Sequence, residues 1–122
     1  MVDVKERALR AFKQNVRPPA LSGIKLGVIG AYPGGASEAF EVRALIGEGA
    51  GYEDPVTGSL NASLAQWLAS AGVAPSSYRV SQGTCMQRAG KVHIDVVDGQ
   101  VWVGGASVSV VRGEVDLSGV IG

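Results

Sequence analysis

The run from Glu53 to Ser59, Glu-Asp-Pro-Val-Thr-Gly-Ser, combines residue types that could bind an anion and move a proton. A Thr-Gly-Ser turn at the end of the run opens a predicted helix. The first N–H groups of a helix are unpaired and carry the positive end of its dipole, so they suit a ligand carboxylate. Gly58 removes a side chain that would keep a ligand from the backbone. The negative charge of such a ligand favours the protonated form of Asp54, which makes this residue a candidate for proton transfer.

Helix capping is a simpler interpretation of the same run. Aspartate, threonine and serine before a helix commonly accept hydrogen bonds from its first N–H groups and have no part in chemistry. The residue types leave both interpretations open at this point.

Hydrophobic periodicity predicts the helices that must position this run. Apolar residues at helical spacing predict a helix over residues 59–71, and Gly72 suits its left-handed C-terminal cap. The members of this apolar face are Leu60, Leu64, Trp67, Leu68 and Ala71. A shorter helix is predicted over residues 3–16, and Pro18-Pro19 ends it.

Two-residue alternation of apolar and polar residues predicts about seven short strands. They fall near residues 24–28, 40–45, 78–82, 92–96, 101–103, 108–110 and 115–117. Asp98-Gly99 separates two of them and is a strong signal for a two-residue hairpin. A glycine-rich loop, Gly47–Gly51, leads into the Glu53–Ser59 run. The pattern predicts a curved sheet that wraps the longer helix.

The composition argues against several classes of function. Eleven basic residues balance eleven acidic ones without a basic cluster, so a nucleic-acid partner is not expected. No stretch is long and apolar enough to span a membrane, and the polar first residues do not resemble a signal peptide. One cysteine excludes an internal disulfide and disfavours a cysteine-based metal site. We therefore expect a single cytoplasmic domain.

The Glu53–Ser59 run also resembles the signature of the phenazine biosynthesis PhzF-like family, whose members are isomerases with the diaminopimelate-epimerase-like fold. The resemblance extends to residues 40–44, 81–90, 101–106 and 113–114, and covers roughly residues 20–117. It implies an α+β fold, a single lobe in which a curved, barrel-like antiparallel sheet surrounds a central helix. We expect residues 1–122 to form this one lobe, which corresponds to the C-terminal lobe of the family, with residues 1–20 as an N-terminal helix and linker.

The resemblance implies proton transfer on a small carboxylate-bearing metabolite, without a metal or cofactor. Asp54 matches the family's active-site aspartate and is the predicted catalytic residue. Gly58 and Ser59 match the turn and helix start that hold the substrate carboxylate, and with Thr57 they form the predicted substrate-binding set. Leu60 departs from the alanine that members often have at this position.

In the family, the main acid/base glutamate and a substrate-binding histidine belong to an N-terminal lobe, for which residues 1–20 are too few. We therefore expect a second copy of the chain, or a separately encoded N-terminal lobe, to complete the site. In a twofold dimer, two Asp54 residues could share a proton and supply both acid and base. The alternatives are a non-catalytic small-molecule-binding or assembly module that lacks the glutamate, and a fragment of a longer enzyme.

Other residues that could carry chemistry have simpler interpretations. His93, the one histidine, alternates with apolar residues on a predicted strand and suits a surface or strand-edge position better than a metal site. Cys85 needs a neighbouring base to act as a nucleophile and is interpreted as an incidental thiol. Arg43 suits a brace for the loop before Asp54, with a substrate carboxylate as its alternative partner. Trp67 and Trp102 are predicted to be core or interface residues.

Overall fold

The structure, a computed structural model, describes residues 23–48 and 51–120. The helix predicted over residues 3–16 lies outside these ranges. The elements within them, in chain order, are β1 (Lys25–Ala31), β2 (Phe40–Ile46), β3 (Tyr52–Asp54), α1 (Gly58–Ala71), β4 (Ser77–Gln82), a short 3₁₀ helix (Thr84–Met86), β5 (Gly90–Val97) and β6 (Gln100–Gly104).

All six strands belong to one mixed sheet, in the order β1-β2-β4-β5-β6, with β3 paired to β2. The sheet curls into a half-barrel against α1, which confirms the predicted α+β class. Neighbouring strands are antiparallel, except that β2 and β4 run parallel over residues 40–42 and 80–82. The parallel pair departs from the antiparallel sheet that was expected. It follows from the connection, since the chain leaves β2, passes through α1 and returns as β4, and such crossovers join parallel strands.

The core lies between the sheet and α1. Its buried residues are Val42, Ala65, Val80, Val92 and Ile94, and partly buried apolar side chains from β1, β2, α1, β4, β5 and β6 pack around them. The rings of Phe40 and Tyr78 meet edge to face with centroids 5.3 Å apart. On β5 the predicted alternation is confirmed, because Val92 and Ile94 are buried while His93 between them is exposed.

The buried face of α1 is rotated from the face that the sequence predicted. Asn61, Ala65 and Leu68 are buried, whereas Trp67 is 60% exposed. Trp67 is therefore not a core residue, and neither is Trp102, which is 61% exposed, so of the predicted core or interface position only the interface stays a prediction. Asn61 turns toward the sheet because its side-chain amide is hydrogen-bonded there to Gln82. The predicted helix end is confirmed, with Gly72 in the left-handed region at φ 65°.

The hairpin between β5 and β6 has the predicted two-residue turn. Asp98 and Gly99 adopt φ values of 50° and 76°, as a type I′ hairpin turn requires. The strands predicted near residues 108–110 and 115–117 are wrong, since residues 105–116 contain no strand and extend into solvent. Alternation specifies a strand only where a neighbouring edge is available for pairing, and β6 of the same chain does not pair with this segment.

The connection between β1 and β2 is held at its start by Tyr32. The Tyr32 hydroxyl donates a hydrogen bond of 2.7 Å to Oε2 of Glu41, a fully buried residue of β2. The Tyr32 amide donates to the carbonyl of Ala39 at 2.9 Å.

The described part of the chain has no helix that is long and apolar enough to cross a membrane.

We expect Gly99→Ala to lower the free energy of unfolding by about 1 kcal/mol, because alanine is strained at a positive φ. Gly104→Ala is the matched control, since its φ lies outside the left-handed region and a Cβ there meets no atom within 4 Å. Urea unfolding at one protein concentration measures both variants. Equal stability of the two variants would contradict the turn geometry.

Burial, followed by the hydrogen bond to Glu41, raises the pKa of Tyr32 to about 12. An unfolded tyrosine titrates near pH 10, so the folded chain holds this proton more tightly. The resulting stability is fully present below about pH 10 and is lost as the pH rises toward about 12. We expect the stability advantage of the wild type over Tyr32→Phe to shrink across this window. Unfolding measured as a function of pH tests this, and Tyr52→Phe, which changes an exposed tyrosine, should keep the wild-type dependence.

Candidate active site

Asp54 lies at the point where β3 ends and the turn into α1 begins. β3 was not predicted, and its three residues pair with β2 so that Asp54 lies opposite Ala44. The carboxylate of Asp54 is half-buried, and its Oδ2 accepts a hydrogen bond from the hydroxyl of Thr57. The short strand fixes the backbone of Asp54, and the hydroxyl fixes its side chain.

The side-chain amide of Gln82 anchors this turn to the end of β4. Gln82 is the last residue of β4 and is fully buried. Its Nε2 donates to the carbonyl of Asp54 and to Oγ1 of Thr57, both at 3.0 Å. Its Oε1 accepts from the amide of Thr57 at 3.1 Å and from Nδ2 of Asn61 at 2.8 Å. All four hydrogen-bonding positions of the amide are therefore in use.

Asn61 completes the arrangement from inside the first turn of α1. Its Nδ2 also donates to the carbonyl of Thr57 at 2.8 Å. Asp54, Thr57, Asn61 and Gln82 thus form one network, which we call the amide network. It joins three elements, because it contains the end of β3, the start of α1 and the end of β4.

Thr57 occupies the N-cap position of α1, with φ −119° and ψ 99°, but its side chain makes no capping hydrogen bond. The hydroxyl is directed to Asp54 instead. The capping interpretation is therefore wrong for Thr57. Gly58 and Ser59, the next two residues, are exposed, and a Cβ at Gly58 would meet no atom within 4 Å. The start of the helix is open to an approaching anion.

A groove of about 260 Å³ runs between the start of α1 and strands β1 and β2. Its lining residues are Lys25, Leu26, Gly27, Ala44, Ile46, Thr57, Ser59, Leu60 and Ser63. Thr57 and Ser59 of the predicted substrate-binding set belong to this lining, whereas Asp54 and Gly58 do not. Lys25 adds a positive charge that sequence reasoning missed. Its ammonium forms an ion pair of 3.0 Å with Glu48, and the hydrogen bond to Glu48 raises the pKa of Lys25.

One wall of the groove depends on a close approach between β1 and α1. A Cβ at Gly27 would lie 3.0 Å from Cδ2 of Leu60, and closer still to Cδ1. The leucine side chain therefore occupies the space that a larger residue at position 27 would need. Leu60 narrows the groove in this way.

Glu53, the first carboxylate of the predicted run, is engaged by Arg43. The guanidinium donates from Nε at 3.0 Å and from another nitrogen at 2.7 Å, one to each carboxylate oxygen. Both side chains are almost fully buried, at 7% and 8% exposed. The hydrogen bond to Glu53 raises the pKa of Arg43. Arg43 therefore braces β3 next to Asp54, as expected for its structural role.

Two glycines allow the turn after Asp54 to press against the end of β4. A Cβ on Gly83, at φ 81°, would lie 2.8 Å from the carbonyl oxygen of Pro55. A Cβ on Gly90 would lie 2.6 Å from the carbonyl oxygen of Gln82 and 2.6 Å from Cγ2 of Val56. Larger residues at either position would push the turn away from Gln82. The sequence showed Gln82, Gly83 and Gly90 as parts of the family resemblance, but their roles depend on contacts across the sheet.

The remaining candidates lie away from this turn. His93 is exposed, as expected, although β5 is paired on both sides and is not an edge strand. Cys85 is exposed in the 3₁₀ helix. Within residues 23–48 and 51–120, no three His, Cys, Asp or Glu side chains come together in a way that could hold a metal ion.

A family model matches most of the chain. The family model described as phenazine biosynthesis-like protein, PhzC-PhzF, matches residues 5–113. No curated protein and no solved structure matches the chain. The match covers the candidate site and every strand and helix of the described residues.

We expect Gln82→Leu to lower the free energy of unfolding by about 3 kcal/mol. The substitution keeps most of the side-chain volume but removes the buried partner of Thr57, Asn61 and the Asp54 carbonyl, and unsatisfied buried groups cost about 1–3 kcal/mol each. Gln66→Leu makes the same change on the exposed side of α1 and should alter stability by less than about 0.5 kcal/mol. Urea unfolding of both variants measures the difference, and a small cost at Gln82 would contradict the importance of the network.

Proposed function

Because the chain belongs to the phenazine biosynthesis-like family, we propose that it forms part of a cofactor-independent isomerase or epimerase. In this proposal Asp54 transfers a proton to or from a small carboxylate-bearing metabolite. Thr57, Gly58 and Ser59 bind the carboxylate of that metabolite at the start of α1. The single cysteine of the sequence favours a reducing, cytoplasmic location.

The observation that carries this proposal is the diversion of the Thr57 hydroxyl from the helix cap to Asp54. The same hydrogen bond orients a carboxylate and leaves the exposed helix start uncapped by Thr57. An acid and an anion-binding backbone are thus neighbours, separated by one turn of chain. A substrate held by its carboxylate would place its adjacent carbon near Asp54, where a proton can be exchanged.

The same geometry limits what one copy can do. Inversion at a carbon uses a group that removes a proton on one face and a second group that delivers a proton to the other face. Among the described residues Asp54 is the carboxylate beside the helix start, because Glu53 is engaged by Arg43. We propose that a second copy of the chain supplies the other group as a homodimer, with a separately encoded N-terminal lobe as the alternative source.

A non-catalytic function is the second candidate. The open helix start and the groove lined by Ser59 and Lys25 would bind a small carboxylate without any proton transfer. The exposed position of Gly58 and Ser59 favours this alternative as much as it favours catalysis. The two functions differ in whether hydrogen at the ligand exchanges with solvent.

Exchange of hydrogen with heavy water tests the proposal directly. We expect the wild-type chain to incorporate deuterium into at least one member of a panel of small amino and hydroxy acids, detected by mass spectrometry. Asp54→Asn should slow incorporation by at least about a hundredfold, which is the usual contribution of a general acid or base. Asp98→Asn, in the hairpin turn of residues 98 and 99, is the matched control and should keep the wild-type rate, since asparagine tolerates its positive φ.

The outcomes separate the two functions. Binding of a panel member without deuterium incorporation, by the wild type at dimer-forming concentration, would overturn catalysis and support the binding module. Incorporation that persists in Asp54→Asn would overturn the role of this residue. Calorimetry on the same panel supplies the binding measurement.

A further inference from the structure

Residues 106–117 form an arm without helix or strand, and its apolar side chains are exposed in the described structure. Val108, Val110 and Val111 are 86%, 88% and 86% exposed, and Val115 is 79% exposed. Folded chains rarely leave so many large apolar side chains in one exposed stretch. The exposure indicates that the apolar side chains of this arm are suited to pack against another protein surface.

The sequence of the arm is that of a β-strand. Val108 and Val110 alternate with Ser107 and Ser109, and β-branched residues favour extended chain. Beyond Gly113 the alternation resumes, with Val115 and Leu117 next to Glu114 and Asp116. A strand of this kind needs a partner edge that supplies N–H and C=O groups.

The described sheet offers such an edge at β1. β1 pairs with β2 on one side, and its other side has no strand in the described residues. At seven residues it is longer than β6, which has five and is the other end strand. Ile24, just before β1, and Leu26, within it, are 53% and 39% exposed. A strand added beside β1 would satisfy its backbone groups and cover these side chains.

The arm and β1 of the same copy lie at opposite ends of the sheet. The arm leaves directly from β6, and three strands separate β6 from β1 in the sheet order. A second copy presents the same edge without that separation. A twofold exchange would give each copy one arm and one edge, so both arms and both β1 edges would be paired in one closed dimer.

We propose that the arm adds as a β-strand to the β1 edge of a second copy of this chain, and that the second copy returns its own arm in the same way. At about 3.3 Å per residue the twelve residues of the arm extend about 40 Å, enough to cover β1 and leave its own lobe.

The arrangement would also bring the second copy to the candidate site. Lys25, Leu26 and Gly27 of β1 line the groove beside Ser59. An arm paired to β1 therefore runs along the outer wall of that groove and restricts the ligands that can enter it. This dimer and the proposed function both use a second copy of the chain. The dimer forms whether or not Asp54 is catalytic.

Charge placed on the apolar positions of the arm tests the association. We expect the wild-type chain to be a dimer in sedimentation equilibrium at micromolar concentration. The double variant Val108→Lys, Val110→Lys should weaken the dimer at least about tenfold. Ser107→Lys, Ser109→Lys is the matched control, because it adds the same charge to the opposite side of the same arm and should change the dissociation constant less than about threefold. Far-ultraviolet circular dichroism checks that each variant is folded.

Cross-linking tests the edge without relying on the lysine variants. In a Cys85→Ser background, cysteines at Val110 and Leu26 should form a disulfide on oxidation, whereas cysteines at Val110 and Trp102 should not. Mixing ¹⁵N-labelled and unlabelled chains should give cross-linked peptides that carry both labels, which identifies the bond as intermolecular.

Four results would overturn the proposal. They are a monomeric wild type, a folded valine variant that dimerises as well as the serine control, disulfides that join residues 110 and 26 within one chain, and disulfides that form at Trp102 instead. Each of these readouts is independent of deuterium exchange. A chain that dimerises through the arm but catalyses nothing would leave this inference intact and contradict the proposed activity.

Discussion

The buried amide of Gln82 is the interaction on which the rest of the site depends. An amide group in a protein interior is tolerated when all its donors and acceptors are used, and here all four are used. The partners lie at the end of β3 and the start of α1, and Gln82 itself ends β4, so the amide fixes the relative positions of three elements. A packed apolar residue could fill the same space, but it could not set the direction of the Thr57 hydroxyl or the backbone of Asp54.

The crossover between β2 and β4 explains why those three elements meet. β2 carries Arg43, which holds β3 through Glu53, and β4 carries Gln82, which holds the turn after β3. The parallel pairing of β2 and β4 places these two holding residues on neighbouring strands. The turn that contains Asp54 is therefore braced on both sides by the sheet, while its outward side stays exposed at Gly58 and Ser59. Rigid support beneath an open helix start suits ligand binding better than a capped helix would.

Much of the fold could be predicted from the sequence, because α1 and five of the six strands follow from local periodicity. The β3 strand could not, since three residues carry no period and their pairing depends on β2. The strands expected after residue 105 are absent for a related reason, because the partners that a strand needs for pairing are not local in sequence.

At the site, the run Glu53–Ser59 identified the turn, and the family match over residues 5–113 agrees with that identification. Asn61 and Gln82 gave no local signal, because a buried polar residue resembles an exposed one in sequence until its partners are known. The prediction for Trp67 failed because helical spacing alone places it on the apolar face of α1. The hydrogen bonds of Asn61 orient α1 so that Asn61 faces the sheet and Trp67 faces outward.

The close approach of Gly27 and Leu60 has a consequence for how related chains can diverge. A Cβ at Gly27 would meet the terminal carbons of the Leu60 side chain, so a larger residue at position 27 requires the residue at position 60 to move aside or to be smaller. Substitutions at the two positions are therefore coupled, and an exchange in which position 60 becomes smaller first passes through an intermediate with two small residues. That intermediate has a wider groove and would accept bulkier ligands than either end point. A change of ligand size preference could thus arise during neutral exchange of two wall residues, before any residue of the Asp54 turn is altered.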